Sequence, residues 1–70
     1  MVKCRLRVIL AERNIKHGEV YKKAGISSAT FSLLVNEKSL PTLPVALKIA
    51  RVLDLHIEDI WYEDGKEVKH

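Results

Sequence analysis

Breakers cut this chain at short intervals, and their spacing constrains its fold more than any other feature. Pro41 and Pro44 end any helix that approaches them. Proline lacks the N–H that the preceding turn needs, and its ring pushes the residue before it out of the helical region. Gly25 stands alone inside an otherwise helical stretch, and Ile15–Gly18 makes a further interruption. Between these points there is room for only a few helical turns each time. Helices that short are marginal on their own, so they must bury their apolar faces against one another.

The apolar spacing gives those helices. Val2, Leu6, Ile9, Leu10 and Arg13 recur at three and four residues, which predicts a first helix over about 3–13. Asn14 can close it, because asparagine tolerates the left-handed conformation of a helix end. A second helix over 18–24 puts Val20, Tyr21 and Ala24 on one face, and Gly25 then permits a tight turn with positive φ. Ser27 is placed to cap a third helix, 28–35, whose apolar side is Phe31, Leu34 and Val35 and which Asn36 ends. A polar loop, 37–42, leads to Thr42, the expected cap of a fourth helix with Pro44 in its first turn and Leu43, Leu47, Ala50 and Leu53 as its core stripe. Residues 57–61 read as a fifth, very short helix introduced by 54–56. Residues 63–70 read as a polar acidic tail, frayed or extended as an arm. No segment has a convincing strand pattern, and the alternation at Glu67-Val68-Lys69 is too short to count. The expected fold is therefore all-α, five short helices in one domain over 1–62.

Composition narrows the function. Apolar residues make up 47% of the 70, enough for one compact core. Cys4 is the only cysteine, so no internal disulfide can form; the residue reads as a small buried apolar group. The apolar runs are too short for a membrane-spanning helix, and no secretory leader is expected, so a cytoplasmic protein is anticipated. His17, His56 and His70 share no close metal-site spacing with one another or with Cys4, and no metal or cofactor is expected. Glu58, Asp59, Glu63 and Asp64 read as a solvated acidic face that helps the short fifth helix to start. No Gly-rich phosphate loop, nucleophile elbow or zinc motif is present, so the chain is not expected to be an enzyme. The charge is uneven. Residues 1–53 carry ten Lys/Arg against three acids, +7, and residues 54–70 carry two Lys against six acids, −4. A basic body with an acidic end points to one face for a polyanion and another turned away from it.

The segment from His17 to Asn36 is helix, short turn, helix. Gly25 takes the turn, and Val20, Ala24, Phe31 and Leu34 take the positions that pack the two helices together. Around it, Leu6-Arg7-Val8-Ile9, Lys23-Ala24-Gly25-Ile26-Ser27, Leu33-Leu34-Val35-Asn36 and Pro41-Thr42-Leu43, leading to Leu47-Lys48-Ile49-Ala50-Arg51-Val52-Leu53, stand in the order and spacing of a known family. Leu55-His56-Ile57-Glu58-Asp59-Ile60-Trp61 is similar to that family's closing short helix. The stretch from Leu6 to Trp61 resembles a Cro/C1-type (XRE family) helix-turn-helix domain.

The resemblance implies a λ-repressor-like fold with helix 28–35 as the recognition helix in the major groove. By position, Ser28, Ala29, Ser32 and Leu33 should face base edges, and Thr30 and Asn36 should sit near phosphates. His17, where the family usually has Gln, would donate to a phosphate, and Lys16, Lys38 and Arg13 are candidate backbone clamps. The recognition helix lacks Arg, Lys, Gln and Asn on its outer face before Asn36, so bidentate readout of guanine or adenine is not available from it. Hydroxyl contacts and the packing of Leu33 and Ala29 on thymine methyls remain, which predicts A·T-rich half-sites with a share of shape readout. Leu33 is alternatively a core or a protein-contact residue, and Val35 is a core residue. Trp61 and Tyr62 are candidates for a dimer interface, with core closure the alternative for Trp61.

Three positions depart from the family pattern. Lys16 replaces a capping Thr, which leaves the second helix poorly capped; Tyr21 replaces Ala, so its ring must part the helices or fold outward; Glu37 replaces the Gly after Asn36. The resemblance implies a transcriptional regulator, a repressor of phage or mobile-element type, binding double-stranded DNA as a homodimer, with a regulatory protein as a further partner. The alternative is a protein-interaction adaptor that keeps the fold with weak DNA affinity.

Overall fold

The structure, a computed structural model, describes residues 1–63; the expected tail lies outside the described residues from 64 onward. The elements run β1 (Val2–Cys4), α1 (Leu6–Arg13), α2 (His17–Ala24), α3 (Ser28–Val35), α4 (Leu43–Leu53), α5 (Ile57–Ile60) and β2 (Trp61–Glu63). The five helices come in the expected order, but α1 starts at Leu6 instead of near residue 3, and α5 ends at Ile60 because Trp61 belongs to β2.

The helix ends share one device. After α1, α2 and α4, a left-handed residue reverses the chain: Asn14 (φ 56°), Gly25 (φ 73°) and Asp54 (φ 58°). The next N–H in each case donates back five residues, Ile15 to Leu10 O at 2.9 Å, Ile26 to Tyr21 O at 3.0 Å and Leu55 to Ala50 O at 2.9 Å. Those bonds satisfy carbonyls that the helix leaves orphaned. Ile15, Ile26 and Leu55 then turn inward onto the core, so each turn is anchored by a half-buried apolar side chain.

The helix starts vary more. Ser27 caps α3 with its Oγ accepting from Thr30 N at 3.1 Å. Thr42 holds the cap position of α4, with Pro44 in the first turn, but its hydroxyl makes no capping bond. Lys16 cannot accept, yet the start of α2 is not bare: the Glu19 carboxylate takes the Lys16 N–H at 3.0 Å, half of a reciprocal cap.

The two strands are the main correction to the sequence reading. β1 pairs antiparallel with β2 in the register Val2↔Glu63, Lys3↔Tyr62 and Cys4↔Trp61. The apolar spacing puts Val2 in the first helix, but it belongs to the strand, and α1 begins only at Leu6. Three residues per strand give one alternation each, which no local pattern distinguishes from a helix stripe. What makes them strands is a partner about sixty residues away in the sequence. Arg5 N, donating to Ile60 O at 2.8 Å, extends the clasp.

The core draws on every helix. Leu6, Leu10, Val20, Phe31, Leu34, Ile49 and Ile60 are fully buried at its centre, and Trp61 closes it at 8% exposure. The expected stripe of α4 is rotated. Ala46, Ile49, Ala50 and Leu53 face inward, while Leu43 and Leu47 are 65% and 44% exposed. Both sets have helical spacing and share Ala50 and Leu53. The main neighbour of α4 is α2, and Val52 and Leu53 of α4 line a shallow hollow together with Glu19, Val20 and Lys23 of α2.

Gly25 has open space around the position of a Cβ, so the cost of a side chain there is conformational alone. Gly25→Ala is expected to destabilise by about 1 kcal/mol, the penalty of a left-handed L-residue. Glu37, with φ 59°, already carries that penalty, so Glu37→Gly is expected to stabilise by a few tenths of a kcal/mol at most, about 0.5 kcal/mol from the backbone less the long, exposed bond its carboxylate accepts from Cys4 N. Urea midpoints of the two variants check both signs.

Candidate nucleic-acid interface

The α2–turn–α3 unit is held together by aromatic packing. Phe31, on the inner side of α3, meets the His17 ring edge-on at 5.7 Å and the Tyr21 ring at 5.8 Å. Tyr21 does not part the helices. It folds outward over them, half-buried, with its hydroxyl end lying over Gly18, where a Cβ would stand 3.8 Å from Oη. His17 is thus fixed at the first turn of α2, exposed to solvent on its outer side.

With Phe31, Leu34 and Val35 buried, the opposite side of α3 is bare. At 100° per residue, Ala29, Ser32, Leu33 and Asn36 share that outer face, with Ser28 at its edge. All five are exposed. Val35 is in the core, whereas Leu33 is 45% exposed, which removes the core reading for Leu33. Thr30 lies on the flank; its Oγ1 accepts from Ser27 Oγ at 3.0 Å, which ties it to the helix cap.

The remaining sequence candidates divide. Lys16 is exposed at the start of α2 beside His17. Arg13 is exposed, with its Nη1 donating to Leu53 O at 2.6 Å at the carboxyl end of α4, which uses one of the guanidinium's five donors. Asn36 is also engaged. Its Nδ2 donates to Ser32 O at 2.9 Å and to Ser32 Oγ at 3.3 Å, and its Oδ1 accepts from Arg7 Nη2. Sequence reasoning passed over Arg7, because it lies on α1 and shares no spacing with the recognition helix. Trp61 is buried within its own core, and Tyr62, the next strand residue, is exposed on the other face.

Lys38 stands out by comparison with the other helix ends. The turn after α3 has the same bonds, Glu37 N to Leu34 O at 3.1 Å and Lys38 N to Leu33 O at 2.9 Å. Yet the left-handed residue is Glu37, and where Ile15, Ile26 and Leu55 turn inward, Lys38 is exposed. The fold is served better by Gly and an apolar residue at these two positions. A strained acid and an outward lysine therefore call for a reason outside packing. Glu37 has one: its Oε1 accepts from Cys4 N at 3.4 Å, tying the recognition turn to β1.

Cys4 is half-buried next to this turn, with its sulfur accepting from Leu6 N at 3.5 Å. Burial pushes its thiol pKa up, the Leu6 N–H opposes that, and the nearby Glu37 carboxylate adds to it. A thiol held neutral is a poor nucleophile and metal ligand. Among the described residues no group of three His, Cys, Asp or Glu is placed to hold a metal ion, and no helix is long and apolar enough to cross a membrane.

Known proteins share this arrangement. The family model of the Cro/C1-type HTH DNA-binding domain matches residues 5–62. An uncharacterized HTH-type transcriptional regulator of Archaeoglobus fulgidus is 34% identical over 67 residues, which covers 96% of this chain and 96% of that protein. Another, from Methanocaldococcus jannaschii, is 36% identical over 66 residues, 93% of this chain and 100% of its own length. The crystal structure of a candidate DNA-binding protein from Bacteroides fragilis superimposes with a TM-score of 0.77 at 28% identity, covering 87% of this chain and 98% of that one. The family-model match over residues 5–62, with relatives more than 30% identical over nearly the whole chain, makes this protein a member of the Cro/C1-type helix-turn-helix DNA-binding family, a transcriptional regulator and not an enzyme.

Proposed function

We propose that the chain is a sequence-specific repressor that lays α3 in the major groove of double-stranded DNA and acts as a homodimer on a two-fold site. The outer face of α3 carries this reading: Ser28, Ala29, Ser32 and Leu33 are exposed together on the side of the helix turned away from the core. Such a face offers hydroxyls and apolar contacts but no cation, which favours thymine methyls and A·T-rich half-sites. His17, Lys16 and Lys38 flank it at the start of α2 and the end of α3, where they can take backbone phosphates. The relatives from Archaeoglobus and Methanocaldococcus are named HTH-type transcriptional regulators and are matched over nearly their whole length, which supports a regulatory role for DNA binding. The protein then works in the cytoplasm, on the nucleoid.

The second copy has a surface that suits it. Val2, Leu40 and Leu43, all exposed, rim an apolar groove of about 270 Å³ with Pro41, Ala46, Ile57 and Trp61 along its walls. The groove adjoins the turn that ends α3, and the two-fold contact is proposed there. Half-sites about one helical turn apart follow from that symmetry.

The test is selection of duplexes by the purified chain from a random pool at low and moderate salt. An enriched two-fold, A·T-rich site, bound far more weakly as salt rises, is expected. Enrichment of G·C pairs at the contacted positions would overturn the readout. Absence of binding at low salt by folded protein would overturn the DNA reading in favour of a protein partner docking on Leu33.

A further inference from the structure

No cation lies on the outer face of α3, yet a guanidinium is fastened to it from another helix. Arg7 is exposed on α1, and its bond to Asn36 Oδ1 continues through Asn36 Nδ2 to the carbonyl and hydroxyl of Ser32. The Asn36 carboxamide is engaged at both its oxygen and its nitrogen, which leaves it no free edge for adenine. Arg7 uses one of its five donors in this bond and keeps the others. We propose that Arg7 is a phosphate-binding residue of the DNA interface, and that Asn36 is a positioning residue that holds it there. The proposal rests on the DNA reading above.

The phosphate, and not a base, is the partner because of where the bond sits. A recognition helix reads base edges with its N-terminal residues, while its far end lies by the sugar–phosphate backbone. Asn36 follows the last turn of α3, and Arg7 comes to it from outside that helix. A guanidinium held in one plane matches two phosphate oxygens at once, and the entropy of ordering its long side chain is already spent in the free protein. The same bonds orient Ser32. With Oγ accepting from Asn36, the Ser32 hydroxyl still has its own proton to donate.

The experiment compares variants for binding to two duplexes, the most enriched one and one of mixed sequence, across a series of salt concentrations. Far-UV circular dichroism and melting establish that each variant is folded. Arg7→Ala is expected to weaken binding about tenfold on both duplexes, the scale of one charge-assisted bond. Its plot of log affinity against log salt should flatten by about 0.9, the release of one phosphate's counterions, with base preference unchanged. Arg7→Lys keeps the slope and recovers only part of the affinity, because an ammonium lacks the fork. In an Asn36→Ala background, Arg7→Ala should cost less than in the parent chain. Arg7→Ala with unaltered affinity and slope overturns the proposal, as does a change of base preference at an unaltered slope. Equal losses in both backgrounds overturn the positioning role of Asn36. A parent chain that binds neither duplex overturns the DNA reading itself, a different failure from the one in which only Arg7 proves silent.

Discussion

Phe31→Ala is expected to leave most of the chain unfolded at physiological temperature. The side chain is 1% exposed and central to the core, and its ring seats both His17 and Tyr21. Removing a buried Phe costs about 3–5 kcal/mol, from lost transfer energy and from the cavity left behind. A domain of this size has about that much in total, since short chains bury a smaller share of their surface and natural stabilities start near 5 kcal/mol. The loss also has a functional side, because α2 and α3 are joined through this ring. Urea denaturation followed by circular dichroism measures the effect. Leu33→Ala is the control: at 45% exposure it should move stability by less than about 0.5 kcal/mol. A Phe31→Ala protein with the parent midpoint would contradict the packing of the helix-turn-helix described above.

The double variant Ser28→Glu, Ser32→Glu is expected to lose specific DNA binding, by roughly a hundredfold or more, while folding as the parent does. Each glutamate sets an acceptor-only group against phosphates and base acceptors and leaves a charge to be desolvated without a partner. Stability should hold, because both positions are exposed and point away from the core. The first turn of α3 contains no acid, so a glutamate at position 28 even interacts favourably with the helix dipole. That separates this variant from Phe31→Ala, in which binding fails because the fold does. Equilibrium binding to the selected duplex, with a melting curve on the same sample, distinguishes the two causes. Binding within a few-fold of the parent would show that α3 is not the reading element.

Much of this protein is legible from local pattern. Asn14, Gly25 and Ser27 announced their helix ends because the conformations they favour are properties of single residues, and the structure has each where expected. The outer face of α3 was legible for a related reason. Once Phe31, Leu34 and Val35 are assigned inward, helical geometry leaves Ala29 and Ser32 outside, whereas Leu33 stays open between core and surface until the fold exposes it. The candidate clamps were less legible. A basic residue near a motif is a candidate on charge alone, and only the fold shows that Arg13 is turned to Leu53 while Arg7 reaches Asn36.

The sequence by itself determined the five helices, their order, the glycine turn and the exposed recognition face, because propensity, capping and apolar period act over a few residues. The tertiary structure alone decided three things. It paired Val2–Cys4 with Trp61–Glu63, it turned α4 so that Ala46 and Ile49 replaced Leu43 and Leu47 in the core, and it carried Arg7 to the end of α3. Each depends on which distant segment comes to lie alongside. A three-residue strand, a choice between two overlapping stripes and a long side chain's partner all have near-equal local alternatives, and packing between elements far apart in the chain selects among them.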